Sequence, residues 1–300
     1  ALPIYGEWET EEAKQSLNLL KERCGIDHVV LTVVAEQDKP QSVHIHWKDH
    51  PDMLSDHEIE NMIFYAQSLG LTVILKPMVN VSDGTWRAHI NFFDTDVPCE
   101  PKWSEWFAAY TKFILHYAEI AEKTNCAMFV IGCELVNADR REAEWRELIR
   151  HVRNVYHGLI TYNCDKYQED VLKWWDAVDV ISSSGYYPVN AWEEQLDRIE
   201  KVVKKYQKPF FFCEAGCPSC EGGDLLPNDW TLRGRPDVET QRRWYEEMFR
   251  ATNKRDWVRG YAFWDWKAKL YPIEQAENDQ DYAIYGKPAE KVIQAYYKNK

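Results

Sequence analysis

Short, predominantly apolar runs alternate along the chain with longer stretches of helical periodicity. The runs are His28–Val34, Leu71–Leu75, Ala127–Ile131, Leu159–Tyr162, Val178–Ile181, Pro209–Phe212 and Gly260–Trp264. They lack the apolar/polar alternation of a half-solvated sheet, so they read as strands of a parallel sheet covered on both faces. Helices with recognisable ends lie between them. Ser55 with Glu58 forms a capping box for a helix through Met62, Ile63, Tyr65 and Ala66, and Gly70 is its stop. Trp103, Trp106, Phe107, Tyr110, Phe113, Ile114, Tyr117 and Ile120 trace one helical face; Trp145, Leu148, Ile149, Val152 and Tyr156 trace another, stopped by Gly158. Further helices are expected over 190–206, 238–251 and 288–297, the last with Pro288 in its first turn. A short first strand near Leu2–Gly6 and a helix over Glu11–Arg23 bring the tally to eight strand–helix units. At about 37 residues per unit this predicts an α/β fold, a single (β/α)8 barrel domain spanning residues 1–300. A doubly wound open sheet is the alternative, but no glycine-rich fingerprint follows the first strand.

Composition narrows the partner. The 36 basic and 49 acidic side chains leave a net charge of −13, which argues against a nucleic-acid partner because phosphate binding needs a surplus of Lys and Arg. With 45% hydrophobic and 28% charged residues the chain is neither disordered nor collagen-like. No apolar run reaches the length of a membrane span, so no membrane partner is expected. The 14 Trp, 17 Tyr and 11 Phe are more informative. Flat aromatic faces suit the C–H faces of sugars, although about half of the indoles belong to core packing. Eight cysteines, scattered through a chain far larger than a disulfide-stapled module, read as reduced thiols. Ala1–Tyr5 has no signal-peptide pattern. A cytoplasmic location follows, with secretion after removal of a leader as the alternative.

In a barrel of this kind, reactive groups stand just past the C-terminal ends of the strands. Two such ends carry glutamate: Phe129-Val130-Ile131-Gly132-Cys133-Glu134 on the fourth strand and Phe211-Phe212-Cys213-Glu214-Ala215-Gly216 on the seventh. A carboxylate there is costly unless it is paired or has chemical work, and either one alone could be a solvated or ion-paired strand end. Together they suit retaining glycoside hydrolysis, where carboxyl groups about 5 to 5.5 Å apart serve as acid/base and nucleophile. One must hold its proton while the other is charged. Trp264 and Trp266, after the last strand, read as a platform under a sugar ring or as barrel packing. Tyr186 reads as a hydrogen-bond donor to a nucleophilic carboxylate or as a structural phenol. The stretch Asn80–His89 after the third strand offers Trp86, Arg87 and His89 to a hydroxyl-rich ligand.

The ordered motifs Lys76-Pro77, Asp83-Gly84-Thr85-Trp86-Arg87, Phe113–Ala118, Ile131–Leu135, Glu144-Trp145-Arg146, Gly185–Pro188, Lys208–Gly216, Trp264-Asp265-Trp266 and Gly286–Ala289 run over nearly the whole chain. Through them it resembles glycoside hydrolase family 113, the β-1,4-mannanases of a large retaining (β/α)8 clan. The resemblance implies Glu134 as acid/base and Glu214 as nucleophile, with Trp86, Arg87, Tyr186 and Trp264 lining the subsite around the cleaved bond. It implies an oligosaccharide or polysaccharide substrate, most of all a mannan, with other β-linked glycans as alternatives. Many clan members carry Asn before the acid/base, where Cys133 stands here.

Other motifs point elsewhere. Cys217-x-x-Cys220 has metal-ligand spacing without a second pair, and His44-x-His46 puts two rings on one strand face without an identified carboxylate partner. Neither a P-loop nor a Gly-x-Ser-x-Gly elbow is present, and no metal or cofactor is expected. A sugar-binding barrel without catalysis remains the non-enzymatic alternative.

Overall fold

A computed structural model describes residues 5–48, 50 and 52–298. In chain order the regular elements are α1 (Glu11–Cys24), β1 (His28–Gln37), α2 (Asp56–Ser68), β2 (Thr72–Val81), α3 (Trp103–Lys123), β3 (Met128–Cys133), α4 (Glu142–Val155) and β4 (Leu159–Cys164), followed by β5 (Val180–Ser184), α5 (Trp192–Tyr206), β6 (Phe210–Ala215), α6 (Val238–Thr252), β7 (Val258–Phe263) and α7 (Pro288–Lys298). The seven strands form one sheet in sequence order. Most of the expected first strand lies outside the described residues. The strands expected fourth and seventh are therefore β3 and β6. No helix among the described residues is long and apolar enough to cross a membrane.

Contacts divide the chain into two compact units, Ala1–Glu9 with His28–Ile181, and Thr10–Asp27 with Ser182–Lys300. In the first, β1 and β2 pair in parallel from His28↔Thr72 to Gln37↔Val81. Both strands run well past the apolar runs that announced them. Their polar ends are tolerated because each finds partners: Gln37, fully buried, accepts from Trp106 Nε1 at 2.9 Å and donates to Lys39 O at 2.7 Å. Asn80 and Val81, expected in a loop, thus close β2 instead. The capping box of α2 is present, and Gly70 takes the left-handed backbone (φ 74°) that ends it.

All eight residues of the expected α3 face are buried. They meet α4 through rings, Phe107 and Tyr110 both lying edge-on to Trp145, at 5.5 and 5.9 Å between centroids. Burying rings of this size is worth roughly 1.5–3 kcal/mol each. The expected stop at Gly158 is corrected: α4 ends at Val155, and Gly158 is small because a Cβ there would lie 2.2 Å from the Tyr156 hydroxyl. That hydroxyl needs the space to donate to Cys126 O at 2.7 Å.

In the second unit, β6 is buried along its whole length and pairs with β7 from Phe210↔Val258 to Ala215↔Phe263, with two register shifts. β7 departs from the expectation of full cover, its residues being mostly half-buried. It and β1 are the sheet's edges among the described residues. α6 packs on α7 with the Phe249 and Tyr296 rings stacked at 3.9 Å.

Gly132, two residues before Glu134, is enclosed by rings on three sides. A Cβ there would meet Tyr162 Cε2 at 2.9 Å, with Trp145 Cη2 and Tyr110 Oη both at 3.0 Å. Rigid rings on three sides cannot yield cheaply, so Gly132→Ala should cost about 1–3 kcal/mol of unfolding free energy in urea titrations. An unchanged midpoint would show that the rings relax.

Candidate active site

The first unit builds its part of the site around Glu134. The chain leaves β3 at Cys133 and passes through a left-handed backbone at Glu134 (φ 51°). Such a conformation costs a non-glycine residue roughly 1–3 kcal/mol and persists only where the surroundings over-determine it. Here they do. The Glu134 amide donates to Asn163 O at 2.8 Å, and the Leu135 amide donates to the Tyr162 hydroxyl at 3.0 Å. Tyr162 in turn donates to Asp139. Asn163 is held by the buried ammonium of Lys76, which donates to its Oδ1 at 2.7 Å.

The Glu134 side chain is only 9% exposed, and two donors converge on its Oε2: Arg87 Nη1 at 3.0 Å and Trp86 Nε1 at 3.3 Å. Arg87 is itself fixed, its Nε donating to Val79 O at 3.0 Å and its Nη2 to Asn80 Oδ1. The guanidinium is therefore aimed before any ligand arrives. Beyond Trp86 the cluster continues into the turn after β4. Lys166 Nζ stands 5.8 Å from the Trp86 ring centroid and 3.6 Å from Asp165 Oδ1. Burial, and after it the charge of Glu134, push the Asp165 carboxyl up to about 7, with Lys166 pulling the other way.

The second unit builds its part around Glu214, which lies within β6 and is 6% exposed. Its carbonyl accepts from the Gly185 amide and its Oε2 from the Tyr186 hydroxyl, both at 2.7 Å. Tyr186 rests edge-on to Tyr282, centroids 5.9 Å apart, and the Tyr282 hydroxyl donates to Pro227 O at 2.6 Å. Gly216 lets the backbone after β7 close in, since a Cβ there would lie 2.3 Å from Trp264 O. The loop after β6 is pinned by Lys287, whose fully buried Nζ donates to Ser219 Oγ, Asp279 Oδ2 and Asp281 O.

The structure thus brings Trp86 and Arg87 onto Glu134 and Tyr186 onto Glu214, and sets Trp264 beside the backbone that follows Glu214. Trp266 turns its polar edge elsewhere, its Nε1 donating to Ser16 O and Oγ of α1 at 3.1 and 2.9 Å. His44 and His46 lie edge to face at 4.5 Å. Among the described residues no group of three or more His, Cys, Asp or Glu is placed to hold a metal ion. None of the eight cysteines is paired in a disulfide, and all but Cys99 are buried. Burial pushes the thiols of Cys217 and Cys220 above their ordinary range, which disfavours the thiolate a metal or redox centre needs.

The model of glycoside hydrolase family 113 matches residues 2–287. The chain belongs to glycoside hydrolase family 113. Two solved structures of a family 113 β-1,4-mannanase, one of them a complex, are each 55% identical to it, with 99% of this chain and 96% of theirs covered at a TM-score of 0.98. The family 113 β-mannanase AaManA from Alicyclobacillus acidocaldarius, solved with ManMIm, is 41% identical, with 99% of this chain and 95% of that one covered at a TM-score of 0.95. A β-D-glucuronidase from Dictyoglomus thermophilum shares the fold alone, at 16% identity and a TM-score of 0.64 over 97% of this chain and 48% of that one. No curated protein matches the chain. As a member of family 113 the protein is a glycoside hydrolase, and its fold is the (β/α)8 barrel.

Sequence reasoning quoted Lys76 in a motif without giving it a role, and missed Asn163, Asp165 and Lys166. The apolar run of β4 stopped at Tyr162, which hid the true strand end at Cys164 and with it the carboxylate standing just beyond. Asp165 gives a measurable signature. Its folded pKa, about 7, lies above the roughly 3.9 of an unfolded Asp, so the native state binds the extra proton between those values. This contribution to stability is full below about pH 4 and is lost as pH rises through about 7. Asp165→Asn should flatten the fall in unfolding free energy between pH 4 and 7, read from urea titrations at several pH values. An unaltered slope would show that Asp165 titrates normally.

Proposed function

We propose that this family 113 enzyme is a retaining hydrolase of β-1,4-linked mannan and manno-oligosaccharides, working as a single catalytic domain over residues 1–300. Glu214 is the nucleophile and Glu134 the acid/base. Support for the substrate comes from the 55% and 41% identical neighbours, which are β-1,4-mannanases or β-mannanases. The observation that carries the residue assignment is that both strand-end glutamates are withdrawn from water and gripped by side-chain donors, Tyr186 on one and Arg87 with Trp86 on the other. Buried carboxylates so held are oriented for chemistry rather than left to solvent.

In this reading Glu214 attacks the anomeric carbon while Glu134 gives its proton to the departing glycosidic oxygen. Glu134 then takes a proton from water as that water displaces Glu214 from the glycosyl-enzyme. Tyr186 fixes the rotation of the Glu214 carboxylate, and Arg87 with Trp86 fixes that of Glu134. Trp264 supplies an indole face to the sugar at the cleaved bond, and Trp266, committed to Ser16, contributes ring area at most. Eight cysteines without a disulfide among them favour a cytoplasmic site of action.

Glu134→Ala and Glu214→Ala should each lower kcat on β-1,4-mannan by about 10²–10⁴-fold or more, and Glu134→Ala should also lower the melting temperature because it leaves the Arg87 guanidinium unpaired. Proton NMR of the first products should show the β-anomer, the configuration of the cleaved bond. An α-anomer at early times would overturn the nucleophile assignment, and a wild type inert on mannan but active on another β-glycan would overturn the substrate.

A further inference from the structure

The turn that follows β4 is built more elaborately than a connection requires. Tyr167 takes a left-handed backbone (φ 66°), an uncommon and costly state for a bulky aromatic residue, and yet its side chain is not driven into the core: the residue is 41% exposed. Before it, the Lys166 ammonium stands 5.8 Å from the ring centroids of both Trp86 and Tyr167. Although ionisable, the Lys166 and Asp165 side chains are only 12% and 10% exposed, and they lie 3.6 Å apart. The turn is firm, with the Gln168 amide donating to Asp165 O at 3.2 Å and Trp175 Nε1 donating to Glu169 O at 2.7 Å. Through Trp86, whose Nε1 donates to Glu134 Oε2, the group is one side chain removed from a proposed catalytic carboxyl.

Strain, an outward-facing ring and a screened cation are more than a short connection calls for. They have value to a neutral, hydroxyl-bearing ring. The phenol face can take the C–H face of a pyranose, and the ammonium, held beside Asp165, can donate to a sugar oxygen. We propose that Lys166 and Tyr167 form a further sugar-binding subsite, one that holds a neutral hexopyranose unit of a β-1,4-linked chain next to the units flanking the cleaved bond. The proposal deepens the hydrolase reading above and rests on it. Lys166 and Tyr167 are substrate-binding residues here, and Asp165 positions Lys166.

The test compares chain lengths. On wild type, Tyr167→Ala, Tyr167→Phe, Tyr167→Gly and Lys166→Met, kcat/KM is measured with β-1,4-linked manno-, cello- and xylo-oligosaccharides of two to six units and with aryl β-glycosides of the matching sugars. The subsite predicts that Tyr167→Ala and Tyr167→Gly lose about tenfold in kcat/KM on the longer oligosaccharides while changing less than about twofold on the aryl glycoside, and that Lys166→Met loses at least as much on the longer oligosaccharides. Tyr167→Phe keeps the wild-type profile, because stacking does not need the hydroxyl. Tyr167→Gly separates binding from folding: glycine accepts the left-handed backbone without strain, so this variant should melt no lower than wild type and still lose the long substrates. Equal losses on both substrate types, or no dependence on chain length, would overturn the subsite. A wild type that cleaves cello- or xylo- but not manno-oligosaccharides would sink the mannan reading alone, since the Tyr167 comparison is then read on the sugar that is cleaved. A wild type inert on all of them would overturn both.

Discussion

A carboxylate drawn out of water at the end of an apolar strand has to find donors, and most of what surrounds the two glutamates follows from that requirement. Each unit meets it locally. Glu134 receives a guanidinium and an indole N–H delivered by the segment after β2, and Glu214 receives a phenol delivered by the segment after β5. The donors are themselves held, Arg87 by the backbone and Asn80 of β2, Tyr186 by Tyr282. Breaking a buried, hydrogen-bonded charge pair by removing one partner costs far more than a surface ion pair contributes. The geometry is therefore pre-set in the resting protein, which is the condition for electrostatic catalysis without reorganisation during the reaction.

The packing beneath these groups serves the same end. Trp145, Tyr162 and Trp174 fill the space under the turn after β3, with Trp145 Nε1 donating to Ala138 O and Trp174 Nε1 to Asp139 O. Large apolar faces thus supply burial while their polar edges hold backbone that would otherwise be unsatisfied. In the other unit, Lys287 does comparable work for the loop after β6. A buried ammonium with three oxygen acceptors joins Ser219 to the Asp279–Asp281 segment and limits how far that loop can drift from Glu214.

Much of this was legible in the chain. Continuous apolar runs located all seven described strands, and the α3 face was read residue by residue, because a parallel sheet covered by helices leaves a strong period in both kinds of element. The two glutamates stood out for the same reason, as charges closing runs that should contain none. Polar residues inside the strands were the blind spot. Glu36, Gln37, Asn80 and Asn163 extend β1, β2 and β4 beyond their apolar stretches through partners far away in sequence, Trp106 for Gln37 and Lys76 for Asn163. No local pattern encodes such pairings. Asp165 and Lys166 were missed as a direct result, and the choice for Trp266 between sugar platform and barrel packing turned on its tie to Ser16, which no local pattern carries.

The uneven exposure of the eight thiols has a practical side. Seven are sealed in the interior, and Cys99 alone reaches the surface, on the connection between β2 and α3 that also carries Trp86 and Arg87. A maleimide dye would find a single attachment point there without mutagenesis, and its emission would report on the segment that grips Glu134. Stored in air, the same lone sulfur is where two molecules of the enzyme would become covalently joined.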